Sequence, residues 1–87
     1  MSIGANISDK FELPKDLLLG AMNIHMTGKY EAYIENYKSI KEYDGTKIVI
    51  NGKRNCVSIC GTNLKIEYFT KTDMKIKGII SEVLFDI

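Results

Sequence analysis

The sequence predicts a mainly β domain: a small curled antiparallel sheet or sandwich of short strands, with one short helix at its N-terminal end. Three observations carry this expectation. Apolar and polar residues alternate in short runs from Met22 onward. The runs recur at roughly 8–12-residue spacing and are divided by glycine, asparagine and aspartate. The chain has 87 residues, enough for one domain, and a domain of that size buries only about 60–65% of its unfolded surface. Its core must therefore be thin. A solenoid-like stack of short strands is the alternative, since Gly52, Gly61 and Gly78 are spaced 9 and 17 apart, though no fixed period emerges.

Residues 1–12 have no sustained period and are expected to fray, leaving 13–87 as a single domain. In "LPKDLLLG", Pro14 suits the first position of a helix, Asp16 its first turn and Gly20 its end. One or two helical turns over Pro14–Leu19 are predicted, too short to hold without docking Leu17 or Leu18. Strand character starts at Met22. Ile24 and Met26 alternate with His25 and Thr27, and then Tyr30, Ala32 and Ile34 alternate with Glu31, Tyr33 and Glu35. Gly28 marks a bend or bulge between these halves.

Ile40 and Tyr43 lead to Asp44-Gly45, a hairpin dipeptide. "TKIVIN" puts Ile48 and Ile50 on one face and Val49 on the other. Gly52 to Asn55 then reads as a four- or five-residue loop. "CVSIC" is a strand, Gly61-Thr62-Asn63 a break, and "LKIEYF" a strand with Leu64, Ile66 and Tyr68 facing one way. After a turn at 71–73, Met74, Ile76 and Ile80 share one parity, whereas Val83, Phe85 and Ile87 share the other. The switch predicts a bulge at Ser81-Glu82, with Gly78 as a further turn-forming position.

Composition narrows the function classes. The apolar fraction is 45% and the charged fraction 26%, with a net charge of +1. Such a balance gives no electrostatic footprint for nucleic acid. Eleven of the twelve basic residues are lysine, Arg54 being the exception, and lysines spread along strands read as solvated faces. No secretory signal pattern and no apolar run near 18 residues is present, so an intracellular protein without membrane insertion is expected.

Cys56 and Cys60 are four apart. In one strand their Cα atoms lie roughly 13 Å apart at the usual strand rise, beyond the ~7 Å reach of a disulfide and awkward for one zinc. They are expected to pack as small hydrophobes, with no metal or cofactor. His25 has no nucleophile-bearing motif beside it, so no catalytic residue is assigned and no enzyme is expected. Tyr30, Tyr33, Tyr37 and Tyr43 crowd one segment and are the candidate interaction surface, because tyrosine is enriched at interfaces. Several strands are semi-apolar on both sides, which a chain this small cannot cover alone. Self-association or a partner is therefore expected.

The segments "LPKD", "MTG", "YIENYKSIKEYD", "VSICGTNLKIEYF" and "MKIKGIISEVLF" give the chain a close resemblance, over residues 12–86, to the YabP/YqfC family of endospore-formation proteins, and most closely to its YqfC branch. These pieces are structural signatures rather than catalytic motifs. The chain departs from the family pattern at Asn55, where a glycine is usual, and asparagine also tolerates a positive φ. The resemblance implies a non-enzymatic structural or assembly role in the mother cell, in the cytoplasm and at the forespore membrane surface. It implies docking to a YqfD-like membrane protein, beside the homo-oligomer that the two-sided apolar strands lead one to expect. It also implies the neighbourhood of spore coat assembly, with which the YabP branch is linked. A small ligand-binding or regulatory β domain is the alternative.

Overall fold

The computed structural model describes residues 19–86. Residues 1–12, expected to fray, and the expected helix lie outside them, except Leu19, which forms a turn with Gly20. Six strands follow: β1 (Asn23–Thr27), β2 (Glu31–Glu35), β3 (Ser39–Tyr43), β4 (Lys47–Asn51), β5 (Cys56–Phe69) and β6 (Asp73–Asp86). They make one open sheet in the order β1-β2-β6-β5-β4-β3, antiparallel at every pairing. The mainly β expectation holds, and the solenoid alternative does not, because neighbouring strands reverse direction instead of stacking in register.

The sheet is organised about the long β5–β6 hairpin. β4 runs along the first half of β5, from Lys47 opposite Cys60 to Asn51 opposite Cys56. β2 runs in the same way along the first half of β6, from Glu31 opposite Lys77 to Glu35 opposite Asp73. Beyond these ladders the Gly61 N–H donates to Thr46 O and the Gly78 N–H to Tyr30 O. The two halves thus repeat one pairing scheme across an approximate two-fold axis. Gly61 and Gly78 are spaced 17 apart because they hold equivalent places in two paired strands.

This corrects the reading of both glycines as turns. Each sits inside a strand, where another backbone comes too close for a side chain. A Cβ on Gly61 would collide with the carbonyl oxygen of Ile79, and one on Gly78 would lie 2.7 Å from Asn63 O. The break expected at Gly61-Thr62-Asn63 is likewise absent, and β5 is continuous. The discontinuity is absorbed by bulges instead. β5 carries an extra residue between Thr62 and Lys65, with Asn63 at φ 54, and another at Glu67. β6 carries one at Ser81, between the pairs Cys60–Glu82 and Gly61–Ile80, where the parity switch predicted it.

Bulges flip the side-chain alternation. After Asn63, β5 turns Leu64 and Ile66 inward. After Glu67, Tyr68 lies opposite Lys75 and faces outward, which corrects the expectation that Tyr68 shares the face of Leu64 and Ile66. The inner faces of the two halves meet in one cluster that includes Ala32, Ile34, Ile48, Ile50, Val57, Ile59, Met74 and Ile76, all fully buried. Each large side chain among them contributes about 1.5–3 kcal/mol by leaving water. Curling of the sheet also brings the chain ahead of β1 against the β4–β5 loop, where Met22 Cε lies 3.1 Å from the place a Cβ on Gly52 would occupy.

Turns set the edges. Gly28 takes φ +52 in the β1–β2 loop. In the β3–β4 loop Gly45 follows Asp44, whose carboxylate accepts from the backbone N–H groups of Thr46 (2.7 Å) and Lys47 (2.9 Å). Gly52 to Asn55 form the four-residue β4–β5 loop, closed by Gly52 N–H donating to Asn55 O. No helix among the described residues is long and apolar enough to cross a membrane.

Candidate functional site

The four tyrosines of residues 30–43 do not form one surface. Tyr37 is 6% exposed and its hydroxyl donates to Thr70 O. It sits in the β2–β3 connection, where the N–H groups of Asn36 and Tyr37 donate to Thr72 O. Tyr37 therefore ties that connection to the β5–β6 turn. Tyr43 lies on the edge strand β3, and its hydroxyl accepts from Ile66 N–H at 3.0 Å. Tyr30 is exposed in the β1–β2 turn, with Lys29 Nζ 5.8 Å from its ring centroid.

Tyr33 alone belongs to an aromatic row. The register aligns His25, Tyr33, Lys75 and Tyr68 across four strands on the outer face. His25 Nε2 stands 2.8 Å from Glu35 Oε1 and its ring centroid 6.2 Å from that of Tyr33. The Tyr33 hydroxyl donates to Asp73 Oδ2 at 2.9 Å, a bond that favours the protonated phenol and raises its pKa. Around the row run the ion pairs Lys75–Glu31 (3.5 Å) and Lys77–Glu67 (2.7 Å). The last pair lowers the Glu67 pKa and raises that of Lys77. His25 is thus a surface residue with a carboxylate partner, and Tyr68 enters the row only because of the Glu67 bulge.

Cys56 and Cys60 are free and half-buried. They flank buried Ser58 on the outer face of the other half, whose cross-strand neighbours are Val49 and Leu84. The Cys56 thiol donates to Asn51 Oδ1 at 2.7 Å. Among the described residues no group of three potential metal ligands gathers.

The feature that sequence reading missed lies at the two ends of the central hairpin. β4 pairs only with the first half of β5, and β2 only with the first half of β6. Among the described residues, no strand pairs with Lys65–Phe69 of β5 or Glu82–Asp86 of β6 on the side away from the hairpin partner. These equivalent segments carry Tyr68, Phe69, Leu84 and Phe85, all exposed, with both phenylalanines at 63%. Phe69 lies opposite core residue Met74, and Phe85 opposite core residue Val57. Each phenylalanine therefore extends the inner face past the point where the sheet covers it. Only the lengths of β2 and β4 relative to the hairpin could have signalled this, and a local pattern does not give them.

No curated protein and no solved structure matches the chain. The model of the YabP family matches residues 19–86, the whole span from the Leu19 turn to the end of β6.

Proposed function

The chain belongs to the YabP family, and from that premise we propose that it is a non-enzymatic interaction protein of endospore formation, acting in the mother cell by pairing its free strand edges with another β strand. The carrying observation is that, among the described residues, Lys65–Phe69 of β5 and Glu82–Asp86 of β6 have no strand on their outer side and each carries an exposed phenylalanine. An unpaired edge offers backbone donors and acceptors, and adjacent apolar side chains add area when a strand joins. On the β5 edge a joining strand would displace the Tyr43 hydroxyl from the Ile66 N–H. Copies of this chain can supply that strand. So can a membrane-bound partner of the YqfD type, at the forespore surface, if the chain lies in the YqfC branch. The charge-paired face around His25 and Tyr33 suits a solvated exterior.

Sedimentation velocity from micromolar to millimolar protein tests the edge reading, comparing the parent with Leu84→Lys/Phe85→Lys. The parent is expected to associate and the variant to stay monomeric, since lysine on an edge opposes pairing. A parent that stays monomeric, together with no partner cross-linked through position 85 in sporulating cells, would end the proposal. Deleting the gene and complementing it with a fluorescent fusion tests the cellular role. Failed spores with a forespore-ringing fusion are expected, whereas normal spores with diffuse fluorescence in growing cells would remove it.

A further inference from the structure

The β4–β5 loop and its surroundings form an open groove of about 390 Å³, lined by Lys41, Asn51, Gly52, Lys53, Arg54, Asn55 and Cys56. Three of these residues are cations, and one is the sole arginine of the chain. Among the described residues none of the three is ion-paired, whereas Lys47, Lys75 and Lys77 all face carboxylates. Net charge is +1, so the basic character here is local. Among the described residues that line the groove there is no carboxylate, and the register brings the backbone of Asp86 to this end, opposite Cys56.

The backbone that carries the two loop cations is itself tied at both ends. Gly52 N–H is tied to Asn55 O, and Met22 packs against Gly52. Lys53 and Arg54 stand at the tip between those anchors, and Lys41 approaches from β3. A second, smaller hollow shares Lys53, Arg54 and Asn55 and is walled by Leu19, Ala21 and Met22. Leu19 is 66% exposed. Cations thus sit directly beside an apolar flank of which, among the described residues, Leu19 is the exposed part and Ala21 and Met22 are half-buried.

We propose that this groove binds a phosphate group, with Arg54 as its forked ligand and Lys53 and Lys41 as point charges. A small phosphorylated molecule and a lipid headgroup present the same anion. The apolar flank favours the headgroup, because leucine and methionine beside a bound phosphate would meet acyl chains. The inference is independent of the free-edge reading: the residues differ, and Leu84→Lys/Phe85→Lys leaves them in place.

The test uses the full chain and vesicles of phosphatidylglycerol in phosphatidylcholine, with pure phosphatidylcholine as reference. Inorganic pyrophosphate is titrated separately while the amide signals of residues 52–56 are followed. Lys53→Gln/Arg54→Gln is compared with Lys65→Gln/Lys71→Gln, which removes equal charge elsewhere; thermal melts check that both fold. Vesicle affinity is expected to fall about 30-fold in the first variant, for two cations near an anionic surface, and to fall much less in the second. Saturable pyrophosphate shifts that disappear in the first variant, without vesicle binding, would keep the phosphate site and assign it to a soluble ligand. Binding to neither probe, equal losses in both variants, or binding only to a single-stranded oligonucleotide would overturn the proposal.

Discussion

Gly61, Gly45 and Asp44 show how much of this fold rests on single positions. Gly61 is fixed by close approach, since any Cβ meets the Ile79 carbonyl. Gly61→Ala is expected to cost on the order of 3 kcal/mol or more, or to prevent folding. A Cβ on Gly45 would meet nothing within 4 Å, and the residue has no positive φ, so Gly45→Ala should fall within about 0.5 kcal/mol of the parent. Urea denaturation of the two variants checks the contrast. Both glycines read alike in the sequence, as turn formers, because composition records a missing side chain without saying what fills its place. Asp44 supplies a pH dependence. Hydrogen bonds from Thr46 and Lys47 hold its pKa below the ordinary aspartate value. A depressed folded pKa means the contribution is present above the unfolded value and is lost as pH falls through the folded one. The Thr46 and Lys47 amides should therefore lose exchange protection in strong acid, and in Asp44→Asn the same amides should show a flatter acid profile. Tyr37 buries a hydroxyl bonded to Thr70 O. Tyr37→Phe should cost about 1–2 kcal/mol by leaving that carbonyl short of a donor.

Among the elements, β5 and β6 decide the architecture, and bulges decide β5 and β6. Val57 and Ile59 point inward before Asn63, and Leu64 and Ile66 after it. One inserted residue per bulge bends the hairpin and re-aims its side chains. On β6 this was legible: Ile80 and Val83 are both apolar and three apart, so an odd residue between them had to be absorbed. On β5 it was not. Gly61-Thr62-Asn63 has the composition of a turn, and only the pairing partner distinguishes a turn from a bulge. Glu67 left no mark either, because Tyr68 is plausible on both faces. Deleting Ser81 would join Ile80 to Glu82 in strict alternation, keeping Val83 opposite Ile59 and Phe85 opposite Val57 on the inner face, and would remove the bend that the bulge gives the hairpin. Loss of the folded state, or destabilisation on the order of 3 kcal/mol, is expected. Near-native circular dichroism and an unchanged melting temperature would show that the bulge is dispensable.

At the scale of the molecule, a thin core closes itself, but among the described residues the last five residues of β5 (Lys65–Phe69) and of β6 (Glu82–Asp86) have no strand on their outer side. With a net charge of +1, copies repel one another weakly near neutral pH. Association through the free edges should be strongest there and should shrink at pH 5 as positive charge accumulates. Sedimentation at the two pH values checks this, and a stronger association in acid would argue against edge pairing. The sequence by itself determined the β class, the strand positions apart from the continuity of β5 through Gly61-Thr62-Asn63, the loops at Gly28, Gly45 and Gly52–Asn55, and the Ser81 bulge. Each of these follows from alternation or turn chemistry within a few residues. Tertiary structure alone decided that β2 joins β6 about 40 residues away, that Tyr37 is buried while Tyr33 aligns with His25 and Tyr68, and that Phe69 and Phe85 stand uncovered. Alternation states which side chains share a face of a strand. It does not state which strand lies alongside, and burial, edges and grooves all depend on that neighbour.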